Sequence, residues 1–78
     1  MSSRPKSKRE SSPAELFGRN LREERLKAGL TQVQLAELTG IPQSRLSALE
    51  SGRRDVMVST AFKLARAIGC SLSDLFVE

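Results

Sequence analysis

The stretch from Thr31 to Glu50, TQVQLAELTGIPQSRLSALE, leaves this chain few choices of fold. Thr31 with Gln34 three residues later forms a T-x-x-Q capping box, which predicts a helix start. Val33, Leu35, Ala36 and Leu38 are the apolar residues of that helix. Gly40 stands where a left-handed residue would end it. Ile41 anchors the turn, and Pro42 suits the first position of a second helix, where a missing N–H costs nothing. Leu46 and Leu49, three apart, mark the inner face of that second helix. Gln43 leads it, and Ser44, Ser47 and Ala48 fall on the opposite face. The pattern is two short helices around a tight turn.

An outer helix face that is short, polar and uncharged is an odd choice for solubility alone. It suits a helix laid in a DNA major groove, where amides and hydroxyls meet base edges. Glutamine can bond adenine N6 and N7 together, serine can serve several bases, and a methyl such as that of Ala48 can act by contact. Gln43, Ser44, Ser47 and Ala48 are therefore the candidate base contacts. Arg45, Arg53 and Arg54 cluster around the same helix and are candidate phosphate contacts, which set register rather than sequence. Gln32, in the first turn of the preceding helix, joins them, because a helix N-terminus favours phosphate. Arg19 and Arg22 have glutamates nearby and are expected to be solvated or paired.

The rest of the chain extends the helical reading. Ser12, Pro13 and Glu15 combine an S-x-x-E box with proline in the first turn. Leu16, Phe17, Leu21 and Ala28 then share a face, and Gly29 ends the helix. Gly52 is the expected stop of the third helix. A fourth is expected over Val58 to Ile68, with either Ser59 or Met57 at its cap and Ala61, Phe62, Leu64, Ala65 and Ile68 as its stripe. Ser71 and Asp74 make a weaker box for a short fifth helix carrying Leu72, Leu75 and Phe76. The fold class is all-α: a compact five-helix domain over residues 13–78. Arg25 and Glu50 lie beside the apolar stripes of their helices, where an unpaired charge is costly. They are expected to pair with each other, bracing the first helix against the third.

At this point the chain resembles the phage-repressor (Cro/CI-type, XRE) family of helix-turn-helix DNA-binding proteins. The resemblance runs from about Leu16 to Phe76 and rests on LREERLKAGLTQVQLAELTGI, SRLSALESGRR and FKLARAIGCSLSDLF in that order. It implies the lambda-repressor-like fold, with residues Pro42 to Ser51 as the helix that reads the major groove. It further implies that Gln32 grips a phosphate and braces the first residue of that helix, and it supports the Arg25–Glu50 pair. Pro42 stands where relatives usually carry Ser or Thr, Ser51 where they carry Asn, and the loop after Arg54 lacks a common proline. The implied function is transcriptional regulation, by repression or activation, at a two-fold symmetric operator in double-stranded DNA. The alternatives are an antitoxin-like interaction partner with autoregulatory DNA binding, or a restriction–modification controller protein.

Size and composition agree with that frame. Seventy-eight residues allow one domain, and a chain so short buries only roughly 60% of its unfolded surface. Of the net charge of +4, +3 lies in residues 1–12, a Ser-, Lys- and Arg-rich arm expected to be disordered. One cysteine and no histidine leave no zinc site by ligand count and no His-activated nucleophile, so neither an enzyme nor a cofactor is expected. Cys70 is expected to be a small buried hydrophobe. No stretch reaches the ~20 apolar residues of a membrane span, and the first residues lack the apolar core of a signal peptide. Cytoplasmic residence follows as the expectation. A single reading helix spans few base pairs, so a homodimer is expected. Leu72, Phe76 and Val77 are its candidate interface, aided by part of the fourth helix.

Overall fold

The computed structural model describes residues 11–78. Residues 1–10 of the expected basic arm lie outside them. Helix α1 spans Pro13–Lys27, α2 Gln32–Thr39, α3 Gln43–Glu50 and α4 Val58–Ile68, and a 3₁₀ helix, Leu72–Phe76, follows. Among the described residues there are thus four α-helices, not five. The last element is a 3₁₀ helix: Asp74 N donates to Ser71 O at 3.1 Å, an i→i+3 bond. Ser71 does cap it as a box, and its bonds to Asp74 hold that carboxyl below its usual pKa.

Local chemistry sets most of the boundaries. Ser12 Oγ accepts from Glu15 N at 3.1 Å and Glu15 Oε1 accepts from Ser12 N at 3.0 Å, closing the box that starts α1. Thr31 and Gln34 repeat this at α2, at 3.0 and 2.9 Å. Pro42 departs from its expected place. Its ψ of 142° is extended, and its carbonyl accepts from Leu46 N at 3.1 Å, so it is the cap residue and α3 begins at Gln43. Met57, not Ser59, precedes the first residue of α4, without a side-chain bond to the helix.

The core gathers Phe17, Leu21, Leu35, Leu46, Leu64 and Leu75, all buried. Each such side chain contributes about 1.5–3 kcal/mol relative to exposure. Some apolar residues assigned to inner faces are not inside. Ala28, the residue that closes α1, is exposed, and Phe62 is 51% exposed. The α4 stripe is broader than the surface its neighbours cover, so Ala61, Leu64 and Ala65 take the buried places. Cys70 packs partly buried against the core, and burial pushes its thiol pKa up, with Glu24 and Asp74 adding to the effect.

Two contacts have no obvious trace in the periodicity. Asn20 on α1 donates its amide to Val77 O at 2.8 Å and Leu75 O at 3.3 Å, holding the 3₁₀ helix onto α1 beside the Phe17–Phe76 ring contact at 5.3 Å. Gly18 is buried in mid-helix. A Cβ there would run into the backbone carbonyl oxygen of Leu49 and lie 2.7 Å from that of Glu50. The main chains of α1 and α3 therefore meet with no side chain between them.

Gly18→Ala improves helix propensity by about 1 kcal/mol but drives a methyl into backbone that cannot rotate away. We expect a net loss of about 2 kcal/mol or more of unfolding free energy, read from the midpoint of urea denaturation. An unchanged or higher midpoint would show that α1 and α3 separate freely.

Candidate nucleic-acid interface

The turn between α2 and α3 is held from inside. Gly40 takes φ 77°, Ile41 is 7% exposed, and Thr39 Oγ1 donates to Leu35 O at 2.8 Å while accepting from Ile41 N at 3.2 Å. Thr39 is thus a hinge pin of the turn. Leu46 and Leu49 seat α3 on the core and leave Gln43, Ser44 and Arg45 exposed, with Ser47 half-buried. Ala48 does not belong to this outer face. It is 8% exposed, because a methyl projects too little beyond the helix to stay open where the chain turns back. At that place Arg53 N bonds its carbonyl at 3.0 Å and Ser51 Oγ at 3.1 Å.

Behind the outer face lies a charged pair. Arg25 Nε donates to Glu50 Oε2 at 2.6 Å and Nη2 to Glu50 Oε1 at 3.0 Å. The side chains are 9% and 5% exposed. The Glu50 hydrogen bond raises the Arg25 pKa against the opposing pull of burial. The third guanidinium nitrogen, Nη1, donates to Leu30 O at 2.8 Å, pinning the chain where it leaves α1. Gln32 joins the group: its Nε2 donates to Glu50 Oε1 at 3.0 Å, and its Oε1 accepts from Gln43 Nε2 at 3.4 Å. The family resemblance implies only that Gln32 braces the first residue of this helix, expected at Pro42. The contact falls on Gln43, where α3 begins, and the bond to Glu50 was missed, since nothing in the spacing links residues eighteen apart.

Arg45 and Arg54 line one groove with Asp55, Met57 and Thr60, beside α3. Arg53 is exposed at the turn after α3. Leu72 packs half-buried against the core, while Phe76 is 43% and Val77 59% exposed. Met57 and Val58, at 68% and 72%, add apolar surface at the start of α4. Glu24, Cys70 and Asp74 each bring one ligand atom within 4.8 Å of the others. Two of the three are engaged: Glu24 accepts from Lys27 Nζ at 3.2 Å and Asp74 from Ser71 N at 2.9 Å. No helix among the described residues is long and apolar enough to cross a membrane.

The helix-turn-helix family model HTH_3 matches residues 21–75. An uncharacterised HTH-type transcriptional regulator of Sinorhizobium fredii, y4dJ, is 42% identical over 60 residues, 77% of this chain and 78% of that protein. The HTH-type transcriptional regulator PuuR of Escherichia coli is 39% identical over 61 residues, 78% of this chain. The chain spans 33% of the length of PuuR. Among solved structures, the restriction-modification controller protein C.AhdI from Aeromonas hydrophila is similar with a TM-score of 0.77 and 38% identity, over 81% of this chain and 96% of that one. The clp gene regulator ClgR from C. glutamicum has a TM-score of 0.81 and 33% identity, over 85% of this chain and 86% of that one.

The buried pair makes a direct test of how α3 is supported. Arg25→Met strands the Glu50 carboxylate away from water, and we expect a loss of about 3–5 kcal/mol in chemical denaturation. A loss below about 1 kcal/mol would place the pair among exposed salt bridges.

Proposed function

This chain belongs to the HTH_3 (XRE) helix-turn-helix family, and we propose that it is a transcriptional regulator that reads the major groove of its operator with α3. The observation that carries this reading is the polar outer surface of α3, where Gln43 and Ser44 stand exposed and Ser47 half-buried, with Gln43 braced from behind by Gln32. Hydroxyls and an amide there satisfy base-edge donors and acceptors without adding charge. Ala48, being covered, takes no part in the reading. Gln32 at the start of α2, and Arg45, Arg53 and Arg54 around α3, are the proposed phosphate contacts. The basic arm adds sequence-independent attraction through its charge of +3. A cytoplasmic location is the natural one for such a protein.

Two copies are proposed to bind half-sites about 34–36 Å apart, or at multiples of that spacing. The exposed Phe76 and Val77, the half-buried Leu72, and Met57 and Val58 at the start of α4 supply the apolar surface for that dimer. A restriction–modification controller is the second reading. It draws on the likeness to C.AhdI, which covers 96% of that chain at 38% identity.

Gln43→Ala should cost roughly 1–3 kcal/mol on the specific duplex, relax one base position and leave the salt slope nearly unchanged. Removing residues 1–10 should instead weaken all duplexes alike and flatten the salt dependence, by about 0.9 per lost phosphate contact. Titration of both variants on specific and scrambled duplexes at several salt concentrations separates the two roles. Equal binding of Gln43→Ala and the parent to the specific duplex would refute the assigned reading face. For the dimer, sedimentation equilibrium at tens of micromolar should show a two-fold mass that Phe76→Ser lowers. A parent that stays monomeric with and without operator DNA would sink the proposed interface.

A further inference from the structure

The chain of bonds behind α3 has a direction. A carboxylate only accepts hydrogen bonds. Glu50 is turned by its two-point contact with Arg25 and is held away from water. Its Oε1 therefore obliges Gln32 to point the NH₂ end of its amide inward, at 3.0 Å. The Gln32 oxygen is then left facing outward, and the group meeting it at 3.4 Å must donate: the Nε2 of Gln43. Turning either amide over would set two acceptors, or two donors, against each other. The O and N positions of a glutamine are ordinarily assigned from its network. Here the network ends on a group that cannot donate, so the polarity propagates outward from the buried pair to the helix surface.

Gln43 keeps one N–H and its Oε1 for a ligand. One donor beside one acceptor complements the N7 acceptor and N6 donor of adenine, whereas guanine offers two acceptors on the same edge. We propose that Glu50 is a positioning residue for base recognition: through Gln32 it locks the amide of Gln43 in the sense that selects adenine at one place in the operator. This deepens the major-groove reading of α3 and rests on it.

Selection of duplexes from a random pool by the full chain first defines the site and the pair that depends on Gln43. Four duplexes differing at that pair are then titrated with the parent, Gln43→Ala, Gln32→Leu and Glu50→Gln. Glu50→Gln gives position 50 a donor as well as an acceptor and so releases the polarity; Gln32→Leu removes the link while leaving the buried pair intact, and it decides the matter if Glu50→Gln fails to fold. The parent should prefer adenine. Gln32→Leu and Glu50→Gln should each reduce that preference by about tenfold at this pair and leave preferences elsewhere in the site as they were. Weaker binding spread evenly over the four duplexes, with adenine still preferred, would reduce Glu50 to a structural brace. A parental preference for guanine would overturn the assigned polarity. If Gln43→Ala retains the preference, the groove reading itself falls, an outcome distinct from loss of the relay alone.

Discussion

The Arg25–Glu50 pair is the interaction on which the other parts depend. It joins the last turn of α1 to the last residue of α3, and the remaining guanidinium nitrogen takes the carbonyl of Leu30. Charges removed from water cost several kcal/mol each, so such a pair is a weak source of net stability compared with an apolar filling of the same shape. What it supplies is definition. The planar guanidinium presents its donors in a fixed fork, so the carboxylate can sit in one orientation only. A helix of eight residues has little helical stability of its own, and α3 therefore takes its place from what holds it.

That support comes from two chemically different layers. Leu46 and Leu49 fix the depth of α3 by burial, an interaction without direction. The Arg25–Glu50–Gln32 group fixes rotation, because hydrogen bonds are directional. A reading surface needs both, since base edges differ by the placement of donors and acceptors over a few ångströms.

Much of this was legible in the sequence because it is local. The boxes at Ser12 and Thr31 and the left-handed Gly40 each involve residues within a single turn, and spacing alone reveals them. The pairing of Arg25 with Glu50 was also accessible, since two charges on apolar stripes require partners. What stayed hidden depends on which surfaces meet. Asn20 bonds residues 55 and 57 positions away, and Gly18 matters only because another main chain passes against it. Helical periodicity reports that a residue faces inward, not whether anything covers it. Phe62 and Ala48 show both errors: one lies on an apolar stripe and is open, the other was assigned outward and is closed. Of the proposed reading face, Gln43 and Ser44 stand exposed, while the bond from Gln32 into the buried pair became visible only in three dimensions.

The approach of α1 to α3 at Gly18 bears on how such a chain can diversify. Where side chains separate two helices, each change of side-chain volume alters their spacing, and the far helix tilts in response. Here main-chain atoms set the spacing, and main-chain atoms are the same whatever the side chains around them. The residues lining the rest of the core can then be exchanged over generations with the presentation angle of α3 inherited intact. New target preferences can arise from its surface residues alone, without a compensating reconstruction of the scaffold beneath.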